Sequence, residues 1–277
     1  MKKKWWFVYN DASIYEEYFR IVDFIFKTFC DENILCVKVP ASKLKDDFDY
    51  YFSQIQFVPD CVLFWDKSWE LAKRIQSLGI KVYNNPITAM PCENKIETYK
   101  HLKKHGLIPN TILTTAKKAL RFQHMIAEKI GFPLVTKLEN SALGNGVFVL
   151  KDLNMLNEFL QTIPENEQIA VQEYLTFSPS IEIKVFATQH KVLSSFKRIT
   201  MKDGSYRYER CSLSHEDKEK AIKCCRILGV SFVGLDMLYK KAELPLISDV
   251  NTQPNVLNIF KILKINVISE ILHTYSE

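Results

Sequence analysis

The sequence predicts an α/β fold passing into an α+β one: an N-terminal parallel βα domain over residues 1–90, then two smaller modules over 91–170 and 171–277. Three observations carry this. In the first third, short apolar runs alternate with segments of helical period, the order that builds a mostly parallel, doubly wound sheet. Further on, the runs 181–188 and 192–200 are separated by a short turn at Gln189 and His190, which reads as a hairpin. Near the C-terminus, 233–238 and 247–251 form two more strands, bounded by Gly229, by Lys240 and Lys241, and by Pro254.

Taken in order, residues 5–9 form an apolar strand. Ile14, Tyr18, Ile21, Val22, Ile25 and Phe29 recur at helical spacing, and 34–39 is a second strand closed by Pro40. After Pro59 and Asp60, 61–65 reads as a buried strand, 70–78 as a helix stopped by Gly79, and 80–83 as a fourth strand closed by Asn84, Asn85 and Pro86. The second module opens with a helix over 95–105 that stops at Gly106. It continues with a helix over 118–129, a strand over 132–137, a turn at Gly144, Asn145 and Gly146, and a strand over 147–150. The third begins with a strand at 169–174 and its hairpin. A helix over 216–228 follows, with Ser214 as N-cap, Asp217 three residues on and Gly229 as its stop.

With 277 residues, 47% of them hydrophobic, the chain has ample apolar material for these cores. A formal charge of +5 and the absence of a Lys/Arg block interleaved with aromatics argue against a nucleic-acid surface. No stretch approaches the ~20 apolar residues that cross a bilayer, so no membrane partner is expected. The apolar run behind Lys2, Lys3 and Lys4 is broken at Asn10 and Asp11, which is too short for a signal peptide. Seven cysteines with no Cys-x-x-Cys pair point to reduced thiols in the cytoplasm rather than disulfides or zinc. Cys224 and Cys225 lie in the 216–228 helix, one of them expected to face the core.

The residues that carry chemistry fall late in the chain. In a strand, Asp249 and Asn251 share a face while Val250 turns to the core, and pairing with 233–238 brings in Asp236. Two carboxylates and an amide oxygen on a rigid sheet form a hard-oxygen site suited to Mg²⁺ and, through it, phosphate. Lys137 ends a strand ahead of Gly144, Asn145 and Gly146; glycines let backbone N–H groups approach a phosphate, although Asn-Gly is equally a hairpin signal. Lys95 opens a helix as a phosphate donor or as an ordinary exposed lysine. The stretch 171–175 joins two modules, where ligand clefts are common. Glu182 and Lys184 share one strand face, and Arg198 on the paired strand could stabilise a transferred phosphoryl group.

In this order these motifs resemble the ATP-grasp superfamily, and within it the ribosomal-protein-S6 glutamate ligase (RimK-like) type. They include Asn85 and Pro86, Lys95, the 132–137 strand with Lys137, the glycine turn, 171–174, Glu182 to Lys184, Lys197 and Arg198, 233–236, and Asp249 to Asn251. The resemblance spans essentially the whole chain and implies that 91–277 forms a two-part ATP-grasp domain. It further implies that Lys95, Lys137 and the turn Gly144, Asn145, Gly146 hold phosphates. Glu173, Tyr174 and Leu175 would hold adenine, Glu182 would take the ribose hydroxyls, Gln172 and Lys184 would also belong to the nucleotide site, and Arg198 would face the γ-phosphate. Asp236, Asp249 and Asn251 would bind Mg²⁺ or Mn²⁺, as two ions, with Arg198 and Asn251 acting in catalysis.

The implied reaction is ATP-dependent and ADP-forming: a carboxylate takes the γ-phosphate and an amine displaces it to leave an amide. The partners would be a small acid and amine, or a peptide acceptor, with a homo-oligomer compatible with the sequence. The chain departs from the family pattern at Asn94, Glu182, Lys184 and Asp249. It also departs at 204–210 and Asn255, where the substrate is chosen. Lys202, Arg207 and Arg210 are the candidate substrate-binding cations in that region. Two other readings stand beside the ligase: a small-molecule kinase on the same fold, and a nucleotide-binding interaction protein without turnover.

Overall fold

The computed structural model describes residues 3–139, 146–175, 181–239 and 245–276. Its first sheet contains β1 (Trp5–Tyr9), β2 (Cys36–Pro40), β3 (Cys61–Trp65) and β4 (Lys81–Tyr83), all parallel in the order β2-β1-β3-β4. Trp5, Trp6, Phe7 and Val8 are all fully buried, because helices cover both faces, and such strands read as unbroken apolar runs. Trp5, Phe7 and Leu63 pack with Val22, Ile25 and Phe29 of the helix Glu16–Asp31 and with Ile268 of the helix Val267–Ser276. Trp6, Val8 and Phe64 pack on the other side with Leu44, Phe48 and Trp69. The helical series expected from Ile14 begins instead at Glu16; Ile14 lies in the preceding loop and is 88% exposed.

The second sheet has β5 (Thr111–Thr115), β6 (Leu134–Leu138), β7 (Val147–Leu150) and β8 (Gln168–Glu173), antiparallel in the order β5-β8-β6-β7. Strand β8 therefore belongs to this sheet rather than opening the last module. The expected 118–129 helix divides at Phe122 into Ala116–Arg121 and Gln123–Ile130. These two, with the helix Leu153–Thr162, cover one face of the sheet.

The third sheet has β9 (Ile181–Thr188), β10 (Val192–Thr200), β11 (Tyr206–Arg210), β12 (Phe232–Leu238) and β13 (Leu246–Asn251), in the order β11-β10-β9-β12-β13. Its back carries Ile183, Val185, Leu235 and Met237 against the helices Lys95–Lys103 and His215–Leu228. Ser214 Oγ caps the latter by accepting from Asp217 N, and Gly229 closes it at φ +68°. Cys224 and Cys225 are both fully buried, not one of them, because this helix lies between the sheet and Lys95–Lys103. Burial pushes both thiols up, Cys225 to about 12, which gives no support to a redox role.

Two local features fix the front of this sheet. A register shift between Asp236 and Met237 leaves Ser248 as an extra residue, so Ile247 packs into the core behind while Asp249 turns to the front opposite Asp236. Gly234 lies opposite Asn251, and a Cβ there would approach Pro254 Cβ to 2.7 Å. Gly234→Ala is expected to displace the chain after Asn251 and to destabilise the protein by about 1–3 kcal/mol, read from denaturant melts. Behind the site, the buried Asn84 amide exchanges hydrogen bonds with Phe232 N and O and donates to Thr252 O, tying the end of β4 to the last sheet.

Candidate functional site

A cleft of about 990 Å³ opens where the three sheets meet. Its floor is the front of β9, β10, β12 and β13, from which Glu182, Arg198, Asp236, Asp249 and Asn251 project. Lys95 enters from the start of its helix and Lys137 from β6; the hinge after β8 supplies Glu173, Tyr174 and Leu175. Thus Lys95, Lys137, Gln172, Glu173, Tyr174, Leu175, Glu182, Arg198, Asp236, Asp249 and Asn251, all singled out in the sequence, line one space. Lys184 reaches it through its ion pairs and lines the adjoining cavity.

The charges are locked to one another. Lys95 Nζ lies 2.6 Å from Asp249 Oδ1, and Lys184 Nζ lies 2.6 Å from Asp236 Oδ2 and 2.8 Å from Glu182 Oε2. Arg198 pairs with Glu182 at 2.5 Å and stacks its guanidinium 4.7 Å from the Tyr206 ring. Lys137 is only 8% exposed and, among the described residues, has no carboxylate in contact. Its ammonium donates to Tyr99 Oη (2.8 Å) and to the carbonyl of Ser248 (2.7 Å), the bulge residue. On this part of the floor Lys95, Lys137, Lys184 and Arg198 face Glu182, Asp236 and Asp249, so a local positive charge centres on Lys137, although with Asp66, Lys67, Glu93 and Glu173 the cleft as a whole carries more carboxylates than cations.

Burial pulls Lys137 down to about 8, with Asp249 opposing the shift, and pushes Asp236 up to about 6, with Glu182 adding to it. A depressed lysine has a definite sign. The folded ligand-free protein carries the cost of the buried ammonium below pH 8 and sheds it as pH rises from 8 towards ~10.4. Lys137→Met should therefore be more stable than the parent at pH 7, and the difference in melting temperature should narrow between pH 8 and 10. A gap independent of pH would contradict the charged assignment.

Other expected residues sit as follows. Asn94 caps its helix, its Oδ1 accepting from Ile96 N and Glu97 N, and donates to Glu139 Oε1, so it performs locally what an aspartate cap would. Gln172 Nε2 donates to Thr111 Oγ1, and Glu173 Oε1 accepts from Asn110 N, holding the hinge to the start of β5. Gly146 precedes β7 with φ +85°, while Gly144 and Asn145 lie outside the described residues. Asn251 Oδ1 accepts from Gln253 N. Among the described residues no group of three His, Cys, Asp or Glu side chains is placed to hold a metal; the expected donors remain two carboxylates and an amide.

Lys202, Arg207 and Arg210 do not line the cleft. The stretch after Gly204, read as an acceptor loop, forms the edge strand β11, where Arg207 pairs with Glu209 at 2.8 Å. Arg210 Nη2 donates to Leu263 O, and Lys202 is exposed in the turn before the strand. Arg207→Ala is accordingly expected to leave nucleotide affinity unchanged in calorimetry.

Several lining residues escaped the sequence reading. Val135, Val147 and Val149 of β6 and β7, with Leu238 of β12, give the hinge end of the cleft an apolar wall. Val147 and Val149 are 38% and 40% exposed, unusual for valines in a strand, but their exposure cannot be read from a run that looks like core. The loop around Ser13, Ile14 and Tyr15, with Asp66 and Glu93, forms the opposite rim.

Residues 92–275 match the family model described as the RimK-like ATP-grasp domain. The chain belongs to that family. The expected resemblance and the mixed α/β architecture both hold. Among curated relatives, beta-citrylglutamate synthase B of Danio rerio is 27% identical over 184 residues, which are 63% of this chain and 45% of that protein. Alpha-aminoadipate–LysW ligase LysX of Sulfurisphaera tokodaii is 26% identical over 215 residues, covering 73% and 74% of the two chains. The chain thus spans under half the length of the first of these relatives. A D-alanine–D-alanine ligase structure from Bacillus anthracis superposes with a TM-score of 0.73 over 99% of this chain and 97% of that one, at 19% identity, a likeness of fold. Among the described residues, no helix of this RimK-like protein is long and apolar enough to cross a membrane.

Proposed function

We propose that this RimK-like protein is an ATP-dependent, ADP-forming ligase that joins a carboxylate to an amine through an acylphosphate. The observation that carries the reading is the convergence of Lys95, Lys137 and Arg198 with Asp236, Asp249 and Asn251 in one cleft whose other end is apolar. A nucleotide lying along it would place adenine between the valine wall and the hinge 173–175, ribose near Glu182, and phosphates among the lysines. In this reading residues 1–90 form the first domain and 91–277 the ATP-grasp pair, with the hinge after β8 separating its parts. The names of the relatives quoted above, synthase and ligase, support it.

The donor set fits a hard divalent cation. Asp236 and Asp249 face each other across β12 and β13, each neutralised by a lysine, and a half-buried carboxylate that desolvation holds near 6 gains by exchanging an ammonium for Mg²⁺ or Mn²⁺. Asp236, Asp249 and Asn251 would hold it, and a pair of ions is the reading we adopt. When bound, such ions neutralise charge on the transferring phosphoryl group. The chain's own part is positional: Lys137 and Lys95 fix phosphates, and Arg198, held in place by Glu182 and Tyr206, faces the transferred group. A carboxylate oxygen attacks the γ-phosphorus and ADP leaves with the bridging oxygen. The amine then attacks the acyl carbon, phosphate departs with that carboxylate oxygen, and the amine gives up a proton.

The substrates are a small acid and a small amine or peptide amine. Seven free cysteines accord with a reducing cytoplasm. The test is ADP release from ATP and Mg²⁺ over pooled acids and amines: the ligase needs one of each. Release on addition of a polyol alone would favour a kinase, and tight ATP binding without release from any pool would favour a binding protein.

A further inference from the structure

Beyond the nucleotide cleft, on the same face of the last sheet, lies a second cavity of about 240 Å³. It shares Arg198, Asp236, Asp249 and Asn251 with the cleft, so whatever fills it meets the phosphoryl end of a bound nucleotide. We propose that it holds the amine substrate, and that it is built for an amine of single amino-acid size with an uncharged, largely apolar side chain. This rests on the ligase reading above.

Size sets the first limit. At ~30 Å³ per water the space equals roughly eight waters, below the ~300–1,000 Å³ typical of drug-sized ligands, and holds one amino acid but not a folded-back peptide. Chemistry sets the second. The base is apolar: Phe186, Phe196 and Ile259 are 1%, 5% and 6% exposed. A side chain lying on them leaves water for hydrocarbon and ring faces.

Charge sets the third limit. The cavity's cations are Lys184 and Arg198, already paired with Asp236 and Glu182, and Asp249 is paired with Lys95. Both cations stand at the wall shared with the cleft; the rest of the lining, among it Phe186, Phe196, Tyr208, Asn255, Asn258 and Ile259, carries none to meet an acidic side chain, whose burial without a partner is costly. Arg210 and Arg207 are engaged elsewhere, with Leu263 O and Glu209. What the walls offer instead is neutral. Among the described residues the Asn258 carboxamide and the Tyr208 hydroxyl, both lining the cavity, make no hydrogen bond to the protein, so donors and acceptors remain for a carbonyl, carboxylate or amide of the ligand.

The cavity is preformed. The helix Val256–Leu263 roofs it, capped by Asn255 Oδ1 on Asn258 N and fastened to β11 by the Arg210 bond to Leu263 O. Tyr208 is fixed edge-on to Phe196, ring centroids 5.9 Å apart. The amine of a ligand would then point to the wall shared with the cleft, where the acylphosphate forms, and its side chain to the two phenylalanines.

The test is ligand-observed NMR and calorimetry on the whole chain with saturating ATP and Mg²⁺, using L-leucine and L-glutamate as probes, with ATP binding measured separately. Expected are binding of L-leucine, at least tenfold weaker binding of L-glutamate, and a reversed order in Asn258→Arg, which adds a cation at the half-exposed rim. Tyr208→Phe, on a different element, should weaken L-leucine several-fold and leave ATP affinity and melting temperature unchanged. Equal or preferred binding of L-glutamate by the parent, binding of neither probe while ATP binds, or L-leucine affinity untouched by both variants would overturn the proposal. Failure of ATP itself to bind would instead remove the ligase reading on which it stands.

Discussion

Asp249→Asn is expected to lower turnover by on the order of 10² or more while leaving the fold intact. The side chain projects from β13 into the cleft and is 41% exposed, and asparagine conserves its volume. Asparagine Oδ1 still accepts from Lys95, so the ammonium is not stranded, but the negative charge facing metal and triphosphate is gone. The neighbour gives the control. Val250 is 8% exposed and packs in the core behind the sheet, so Val250→Thr should lower the melting temperature by placing a hydroxyl there, with ADP formation per folded molecule preserved. Full turnover in Asp249→Asn would place the metal donors elsewhere.

Lys137→Ala should weaken ATP by roughly 10- to 150-fold, the loss of a charge-assisted phosphate contact of about 1.5–3 kcal/mol. The ammonium is buried, is held by Tyr99 and Ser248 O, and among the described residues has no carboxylate in contact, so binding phosphate need not first break an ion pair there. Its removal also relieves the cost of burying the charge. The variant is expected to gain far less melting temperature than the parent when ATP is added. An equal ATP-induced shift in both proteins would contradict the phosphate assignment.

What the sequence disclosed and what it hid divide along a physical line. The β9–β10 hairpin, the capped helix His215–Leu228 and the buried runs of β1 and β3 were legible because their signals are local: a short polar turn, a Ser cap with a Gly stop, unbroken apolar stretches. Strand β5 was missed because Thr111–Thr115 has no alternation of its own and becomes a strand only by pairing with β8 across nearly sixty residues. The helix Leu153–Thr162 was also missed, although Asp152 as cap and Leu156, Phe159 and Leu160 at helical spacing were there to be read.

The site shows the same division. Alternation put Asp249 and Asn251 on one face, but nothing local announces the bulge at Ser248 that lets Ile247 stay in the core and offers a carbonyl to Lys137. The arginines after Gly204 looked free for a substrate because loop and edge strand have the same composition; pairing with β10 and the reach of Arg210 to Leu263 absorbed them. The ion pairs of Lys95 and Lys184 join residues 154 and 52 positions apart, a proximity that only the assembled sheets create.

The central claim is that a carboxylate is activated on its oxygen by the γ-phosphate of ATP and then displaced by an amine. The direct measurement is isotope transfer with a pool of acids labelled with ¹⁸O in the carboxylate, ATP, Mg²⁺ and a pool of amines, followed by mass spectrometry of the phosphate released. The ligase account predicts one ¹⁸O atom in the phosphate for each amide formed, with ADP as the nucleotide product. ADP accompanied by unlabelled phosphate, or a phosphorylated product formed without any amine, would contradict it.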